Sequence, residues 1–273
     1  MGQLQSIILA APSKISEEIR QPIGTRGKYP GYKLTFQDNF QFLNEKIWTS
    51  ASEEKRLEVG FPEYGGTDDL QCYIDDSIWV QNGQFLNIDT HINRRHHSCP
   101  NKKYTSGRLT TFGKLSVRAG SIVEASIKFP TDVGMFPAFW LLPNRYDRKW
   151  PLDGEIDVME FLKDGTNKLG TIHLGPDFEN RHWSLTSGKV GGAELGNAFH
   201  TFTVKYDSNV FKFYMDGILY TTVTKEYMTT TFNVSWPFDK GDDYFIILNA
   251  AVGADISRNS RMSIDWLSIY TKQ

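Results

Sequence analysis

His200-Thr-Phe-Thr-Val-Lys-Tyr206 places Phe202, Val204 and Tyr206 on one face of an extended chain and Thr201, Thr203 and Lys205 on the other. Two similar runs follow, Val210-Phe-Lys-Phe-Tyr-Met215 and Ile218-Leu-Tyr-Thr-Thr-Val223, separated by Asp216-Gly217. Asp-Gly accepts the positive φ that a two-residue hairpin turn demands at both central positions. The segment therefore reads as three antiparallel strands, with aromatic and β-branched residues supplying a buried face.

The same rhythm extends outward in both directions. Lys33-Leu-Thr-Phe-Gln37 and Gln84-Phe-Leu-Asn-Ile-Asp89 alternate, and Tyr244–Leu248 and Met262–Tyr270 read as the last strands. From Tyr32 onward no long helical period and no strand–helix–strand rhythm appears. That pattern predicts an all-β sandwich or barrel of antiparallel sheets. A sandwich with one curved sheet offers a cleft long enough for a polymer. Residues 1 to 28 read as an N-terminal arm with a short helix at Ile15–Arg20, and 29 to 273 as a single domain.

Composition narrows the function classes. A net charge of −2 argues against wrapping nucleic acid by phosphate neutralisation. The basic stretch Arg94–Arg108 reads as a solvated loop, and a metal site from His96, His97 and Cys99 lacks a second ligand cluster. Aromatic residues reach 14% of the chain, enough to fill a core and still line a site. Two cysteines, Cys72 and Cys99, leave pairing open. No membrane span is expected. Ile7–Ala11 is too short for a secretory segment and follows no Lys or Arg, so no signal peptide is expected, while Met1-Gly2-Gln3-Leu4-Gln5-Ser6 fits the loose myristoylation pattern.

The chemistry lies in Trp150-Pro-Leu-Asp-Gly-Glu155-Ile-Asp157-Val-Met-Glu160-Phe161. On a regular strand Glu155 and Asp157 share a face, with Ile156 and Val158 turned to the core, but Glu160 would face the wrong way. One β-bulge near Val158-Met159 returns Glu160 to the acidic face. Three carboxyls in one row repel one another, so at least one should hold a proton at neutral pH. Retaining glycosidases need one ionised and one protonated carboxyl roughly 5–5.5 Å apart. An edge strand with a solvated acidic face is the plainer alternative, disfavoured by the acid density and by Trp140, Trp150 and Phe161 alongside. A carboxylate metal site ranks lower because no His lies close in sequence.

Over roughly Tyr32 to Tyr270 the chain resembles glycoside hydrolase family 16, in its laminarinase-like (endo-β-1,3-glucanase) subgroup with the bulged Glu-x-Asp-x-x-Glu motif. The resemblance is carried in order by Tyr104-Thr-Ser-Gly-Arg108, Pro137-Ala-Phe-Trp140-Leu-Leu-Pro143, Gly154-Glu-Ile-Asp-Val-Met-Glu160, Phe199-His-Thr-Phe, Phe213-Tyr-Met-Asp-Gly217, Pro237-Phe-Asp239, Leu248-Asn-Ala-Ala-Val-Gly253 and Ser263-Ile-Asp-Trp-Leu-Ser-Ile-Tyr270.

It implies a jelly-roll sandwich of two antiparallel sheets, concanavalin-like, with the cleft across the concave sheet. It implies Glu155 as nucleophile, Glu160 as acid/base and Asp157 as helper. Trp140 becomes the platform under the cleaved sugar, with Trp150 nearby, His173 a site histidine, and Arg108 and Trp236 further sugar contacts. The implied reaction is retaining endo-hydrolysis of β-1,3-glucan by a monomer, with no cofactor required. A polysaccharide partner implies a cell-wall or extracellular glucan.

Many members of the family carry a structural Ca²⁺ on the far face, matched here by Asn39, Gly83 and Asp265; Asn39 stands in place of a Glu, which should weaken it. Phe136, Asp68-Asp69 and Ala254-Asp255 depart from the pattern beside the cleft, which leaves the linkage preference open. Two other functions compete. A non-catalytic β-glucan recognition protein usually loses one or both glutamates, and this chain keeps all three acids. A hydrolase for another polymer, such as a galactan, shares the bulged motif.

Overall fold

The structure, a computed structural model, describes residues 5–8, 29–53, 55, 70–161, 167–175, 183–186 and 193–273. The helix expected at Ile15–Arg20 and the Asp68-Asp69 turn lie outside these residues. Along the described chain run β1 (Gln5–Ile8), β2 (Tyr32–Asp38), β3 (Thr49–Ser50), β4 (Gln71–Tyr73), β5 (Ile78–Gln81), β6 (Phe85–Ile92), β7 (Tyr104–Ser106), β8 (Arg108–Thr110) and β9 (Ser116–Val117). Next come β10 (Ser121–Lys128), β11 (Met135–Pro143), β12 (Glu155–Phe161), β13 (Asn167–Leu174) and β14 (Trp183–Thr186). The last are β15 (His200–Asp207), β16 (Val210–Met215), β17 (Ile218–Thr224), the helix α1 (Lys225–Phe232), β18 (Tyr244–Val252) and β19 (Ser260–Lys272).

These strands form two sheets. The first has the order β1-β14-β13-β12-β11-β18-β8-β3, with β9 also on β18; the second has the order β17-β16-β15-β10-β19-β6-β7-β4, with β2 on β19 and β5 on β6. All pairs are antiparallel except β1 with β14 and β4 with β7. The sandwich of antiparallel sheets read from the alternation is therefore the architecture found. No helix among the described residues is long and apolar enough to cross a membrane.

The two sheets bury their facing residues against each other. Phe139, Leu141, Ile156, Val158, Met159, Ile246 and Leu248 of the first meet Val123, Ala125, Ile127, Phe202, Val204, Phe211 and Phe213 of the second, all in one core cluster. The faces of β15 are as its alternation requires, and Asp216 and Gly217 take φ of 49° and 77° in the hairpin turn. Helix α1 was not legible. Thr224 caps it by accepting from the Tyr227 amide at 3.2 Å, and Asn233 ends it in the left-handed region. With Met228 its one buried residue, eight residues display no apolar stripe.

The expected bulge is present on β12. Glu160 opposes Ala138 and Met159 opposes Phe139, but Asp157, not Val158, opposes Trp140. Val158 is the extra residue, and both it and Met159 face the core. On the other side, Asp157 pairs with Thr171 and Met159 with Leu169, leaving Gly170 opposite the bulge. Gly170 has φ of 68°, and a Cβ there would lie 2.5 Å from Phe213 Cγ of the second sheet. The freed Val158 carbonyl accepts a hydrogen bond from the Tyr220 hydroxyl of β17 at 3.0 Å. Removing that hydroxyl strands a buried carbonyl, a loss of about 1–3 kcal/mol. Urea unfolding of Tyr220→Phe should show a destabilisation of that order, with activity falling further than stability because Glu160 loses its fixed aim; wild-type stability would mean the bulge holds itself.

Candidate active site

Strand register lays out the outer face of the first sheet in three rows. His173 of β13 opposes Glu155 of β12; Glu155 is level with Leu142 of β11, which opposes Phe245 of β18. In the next row Thr171, Asp157, Trp140, Ile247 and Thr110 stand side by side from β13 to β8. In the third, Glu160, Ala138, Asn249 and Arg108 do the same. Glu155, Asp157 and Glu160 thus stand along one edge of a floor centred on Trp140. Asp157 and Glu160 are 1% and 9% exposed, Glu155 half-buried.

Each acid at the Glu155 end is held. The Trp150 indole N–H donates to Glu155 Oε2. The turn between Trp150 and Glu155 closes at Gly154, whose φ of 83° and approach to Phe238 leave no room for a side chain. His173 Nε2 lies 2.9 Å from Asp157 Oδ2, and its ring centroid 6.1 Å from that of Trp150. Burial, and then the charge of Asp157, push the Glu155 carboxyl up to about 8, against the opposing pull of His173 and the Trp150 hydrogen bond. Two carboxyls this close share one proton at neutral pH, and that proton belongs to the pair.

The opposite border is a chain of contacts. Trp140 Nε1 donates to Asn249 Oδ1 at 2.6 Å, and Asn249 Nδ2 donates to the Tyr73 hydroxyl at 3.3 Å. The Arg108 guanidinium lies 4.6 Å from the Tyr73 ring centroid, with the arginine only 5% exposed. Arg108 therefore stands three strands from Glu160, about 14 Å at the usual strand spacing. Neither Asn249 nor Tyr73 was singled out from sequence; Asn249 sits in Leu248-Asn-Ala-Ala-Val-Gly253, where position alone did not tell which face it takes. The residue before Tyr73 is tied down, because Cys72 and Cys99 form a disulfide, answering the pairing left open above. That bond also removes Cys99 from any metal set with His96 and His97.

Three other expectations need correction or placement. Trp236, expected as a sugar contact, is placed in the core between the sheets, packed on Phe211 and Phe238 and donating to the Ser208 carbonyl at 2.7 Å. A histidine does lie beside the acids, contrary to the sequence argument against a metal: Glu155, Asp157 and His173 bring ligand atoms within 4.8 Å of one another. Glu155 there already accepts from the Trp150 indole, and His173 already faces Asp157. Of the departures, Phe136 is half-buried opposite Ala251, and Asp255 accepts from Lys103 Nζ at 3.1 Å and from the Tyr104 hydroxyl.

The raised Glu155 carboxyl has a cost in stability. The folded protein holds this proton above the ordinary carboxyl value of 4.5, up to about 8, while the unfolded chain releases it. Unfolding is then favoured progressively as pH rises across that window. Glu155→Gln should raise Tm over wild type, with a larger gain at pH 8 than at pH 4.5 in matched melts; an equal shift at both would show that the acid carries no such penalty.

Residues 70–268, well over half of the chain, match the family model for glycosyl hydrolases family 16. A glucan endo-1,3-beta-glucosidase A1 of Niallia circulans is 30% identical over 275 residues, covering 89% of this chain. The chain spans 38% of the length of that relative. The catalytic domain of an endo-1,3-beta-glucanase (laminarinase) from Thermotoga petrophila superposes with a TM-score of 0.73 at 28% identity, covering 89% of this chain and 98% of that one. An endo-beta-1,3-glucanase from Pyrococcus furiosus gives 0.71 at 31% identity, covering 88% and 94%. With its motifs, bulge and acid row in place, the chain belongs to glycosyl hydrolases family 16.

Proposed function

We propose that the protein is a retaining endo-hydrolase of β-1,3-glucan, laminarin-type and extending to mixed 1,3/1,4 linkages. The observation that carries this is the bulged strand, which sets Glu155, Asp157 and Glu160 on one face beside the Trp140 floor. The names of the similar proteins support the linkage. A non-catalytic glucan-recognition role is disfavoured by all three acids being present in one row, and the similar endo-1,3-beta-glucanases favour a glucan over a galactan.

Glu155 is the nucleophile. In the working form the shared proton sits on Asp157, which faces His173 Nε2 at 2.9 Å with one oxygen and donates to Glu155 through the other. Glu155 is then an anion steadied by Asp157 and by the Trp150 indole. Glu160 protonates the leaving oxygen as Glu155 attacks the anomeric carbon, and afterwards takes a proton from water as that water displaces Glu155. Asp157 stands between the two glutamates on the strand, where an inverting enzyme would need room for water. Trp140 offers its face to the cleaved sugar and Arg108 its guanidinium further along the cleft.

No cofactor is required. Of the residues matched to a calcium site, Asn39 Oδ1 accepts from Gln37 Nε2 at 2.9 Å, and Asp265 is the one carboxylate of the three, with Gly83 offering a backbone oxygen. Calcium wants six to eight oxygens with several charges among them, so this set does not fit a firm site. We take the working form to be a monomer acting on polysaccharide, with a net charge of −2 giving nucleic acid no purchase.

A panel of laminarin, mixed-linkage glucan, agarose and carrageenan should show fastest release of reducing ends from laminarin; faster cleavage of agarose or carrageenan would sink the linkage. Proton NMR should find the β anomer first. Glu155→Gln should be inert on every substrate, whereas Glu160→Ala should still react with an activated aryl β-glycoside and give a β-glycosyl azide with azide present. An α anomer first, or retention upon azide rescue of Glu155→Ala, would overturn the roles. Trp140→Ala should keep a cooperative thermal transition and lose about 1–3 kcal/mol of transition-state binding in kcat/KM; loss of the transition itself would place Trp140 in the core.

A further inference from the structure

The outer face of the first sheet carries a second apolar cluster, separate from the core between the sheets. Ala51, Phe112, Leu142, Phe245 and Ile247 form it, and Trp140 and Trp150 pack against it. It continues the first cross-strand row: Glu155 stands level with Leu142, Leu142 opposes Phe245, and the Phe245 ring meets Phe112 edge-on at 5.1 Å. Tyr146 then sits on Phe112, centroids 4.8 Å apart at 83°. Among the described residues it is the most exposed large hydrophobic side chain, at 70%.

The loop bearing Tyr146 is fixed. The Asn144 amide donates to the Asp243 carbonyl at 2.7 Å and its Oδ1 accepts from the Gly113 amide at 2.9 Å. Arg145 pairs with Asp153 at 2.7 Å, and Asp153 also accepts from the Lys149 amide at 2.5 Å. The Arg148 guanidinium lies 5.3 Å from both the Phe112 and Phe245 centroids. An aromatic ring held out to water on a braced loop, in line with the nucleophile, has paid its ordering entropy before any ligand arrives.

We propose that Tyr146, seated on Phe112, is a sugar-stacking residue of the cleft, binding a pyranose unit of the same neutral polysaccharide beyond those over Trp140 and Trp150. This rests on the hydrolase reading above. The contact is between the C–H face of the sugar and the ring, so it is indifferent to the chemistry at Glu155 and is felt only by chains long enough to reach it. Rows ending at Tyr146 and at Arg108 would then form the two walls of one end of the cleft.

The test begins with the polymer that wild type cleaves fastest in the panel. On oligosaccharides of that polymer, wild-type kcat/KM should rise with length to a plateau. Tyr146→Ala should lower the plateau by roughly five- to tenfold, the scale of one aromatic contact, while leaving the shortest cleavable oligosaccharide and Tm unchanged. Tyr146→Phe should behave as wild type. Equal loss at every length, or no loss at any, overturns the proposal. If wild type cleaves nothing in the panel, the hydrolase reading fails. Mobility in gels containing each polymer then decides the residue: selective loss of retardation in Tyr146→Ala supports it, and equal retardation removes it.

Discussion

The hydrogen bond from Tyr220 to the Val158 carbonyl ties the active-site strand to the opposite sheet at the residue where its pleat is broken. Without the extra residue, Glu160 would point into the core, where an ionised or protonated carboxyl has no partner. With it, two apolar neighbours, Val158 and Met159, both fill the core and three acids share the solvent side. The bulge is thus set by events on both sides of β12. Gly170 accommodates it from the neighbouring strand, and Phe213 and Tyr220 close over it from the second sheet. The reactive arrangement depends on the sandwich being a sandwich, since no isolated sheet could supply those two side chains.

Crowding acids is unfavourable, and the structure offsets it only in part. Glu155 receives the Trp150 indole and Asp157 the His173 imidazole, yet burial and mutual repulsion still dominate at Glu155. A proton held between neighbours is what such a cluster offers to chemistry: one carboxylate ready to attack and one acid keeping it in place. Sites of this kind are commonly less stable than the scaffold would allow, because the features that shift the proton also penalise the fold. Here the scaffold absorbs that strain through a large two-sheet core.

Binding surface and chemistry are separated across the same face. The acids occupy β12, while the floor and far walls come from β11, β18, β8 and the loops beyond them. Trp140 belongs to both, oriented by Asn249 on one side and packed on the outer apolar cluster on the other. The disulfide between Cys72 and Cys99 fixes the short strand that brings Tyr73 to Arg108 and Asn249.

The sequence by itself determined the fold class and the acid row. Alternation in segments such as His200–Tyr206 and the Asp216-Gly217 turn are local properties of the chain, and so is the odd spacing of Glu155 and Glu160 that calls for a bulge. Trp140, Trp150 and His173 were reached through ordered motifs, and the rows place them at the acids. What only the tertiary structure decided were relations between segments distant in the chain. Trp236 reads like a cleft aromatic but packs inside, because its environment is set by Phe211 and Phe238 rather than by its own neighbours. Asn249, Tyr73 and Tyr220 gain their roles from partners 109, 176 and 62 positions away. The cysteine pair was equally undecided until β4 and the loop after β6 met. A side chain's periodicity says which face it takes; what stands across from that face is fixed only when the sheets close on each other.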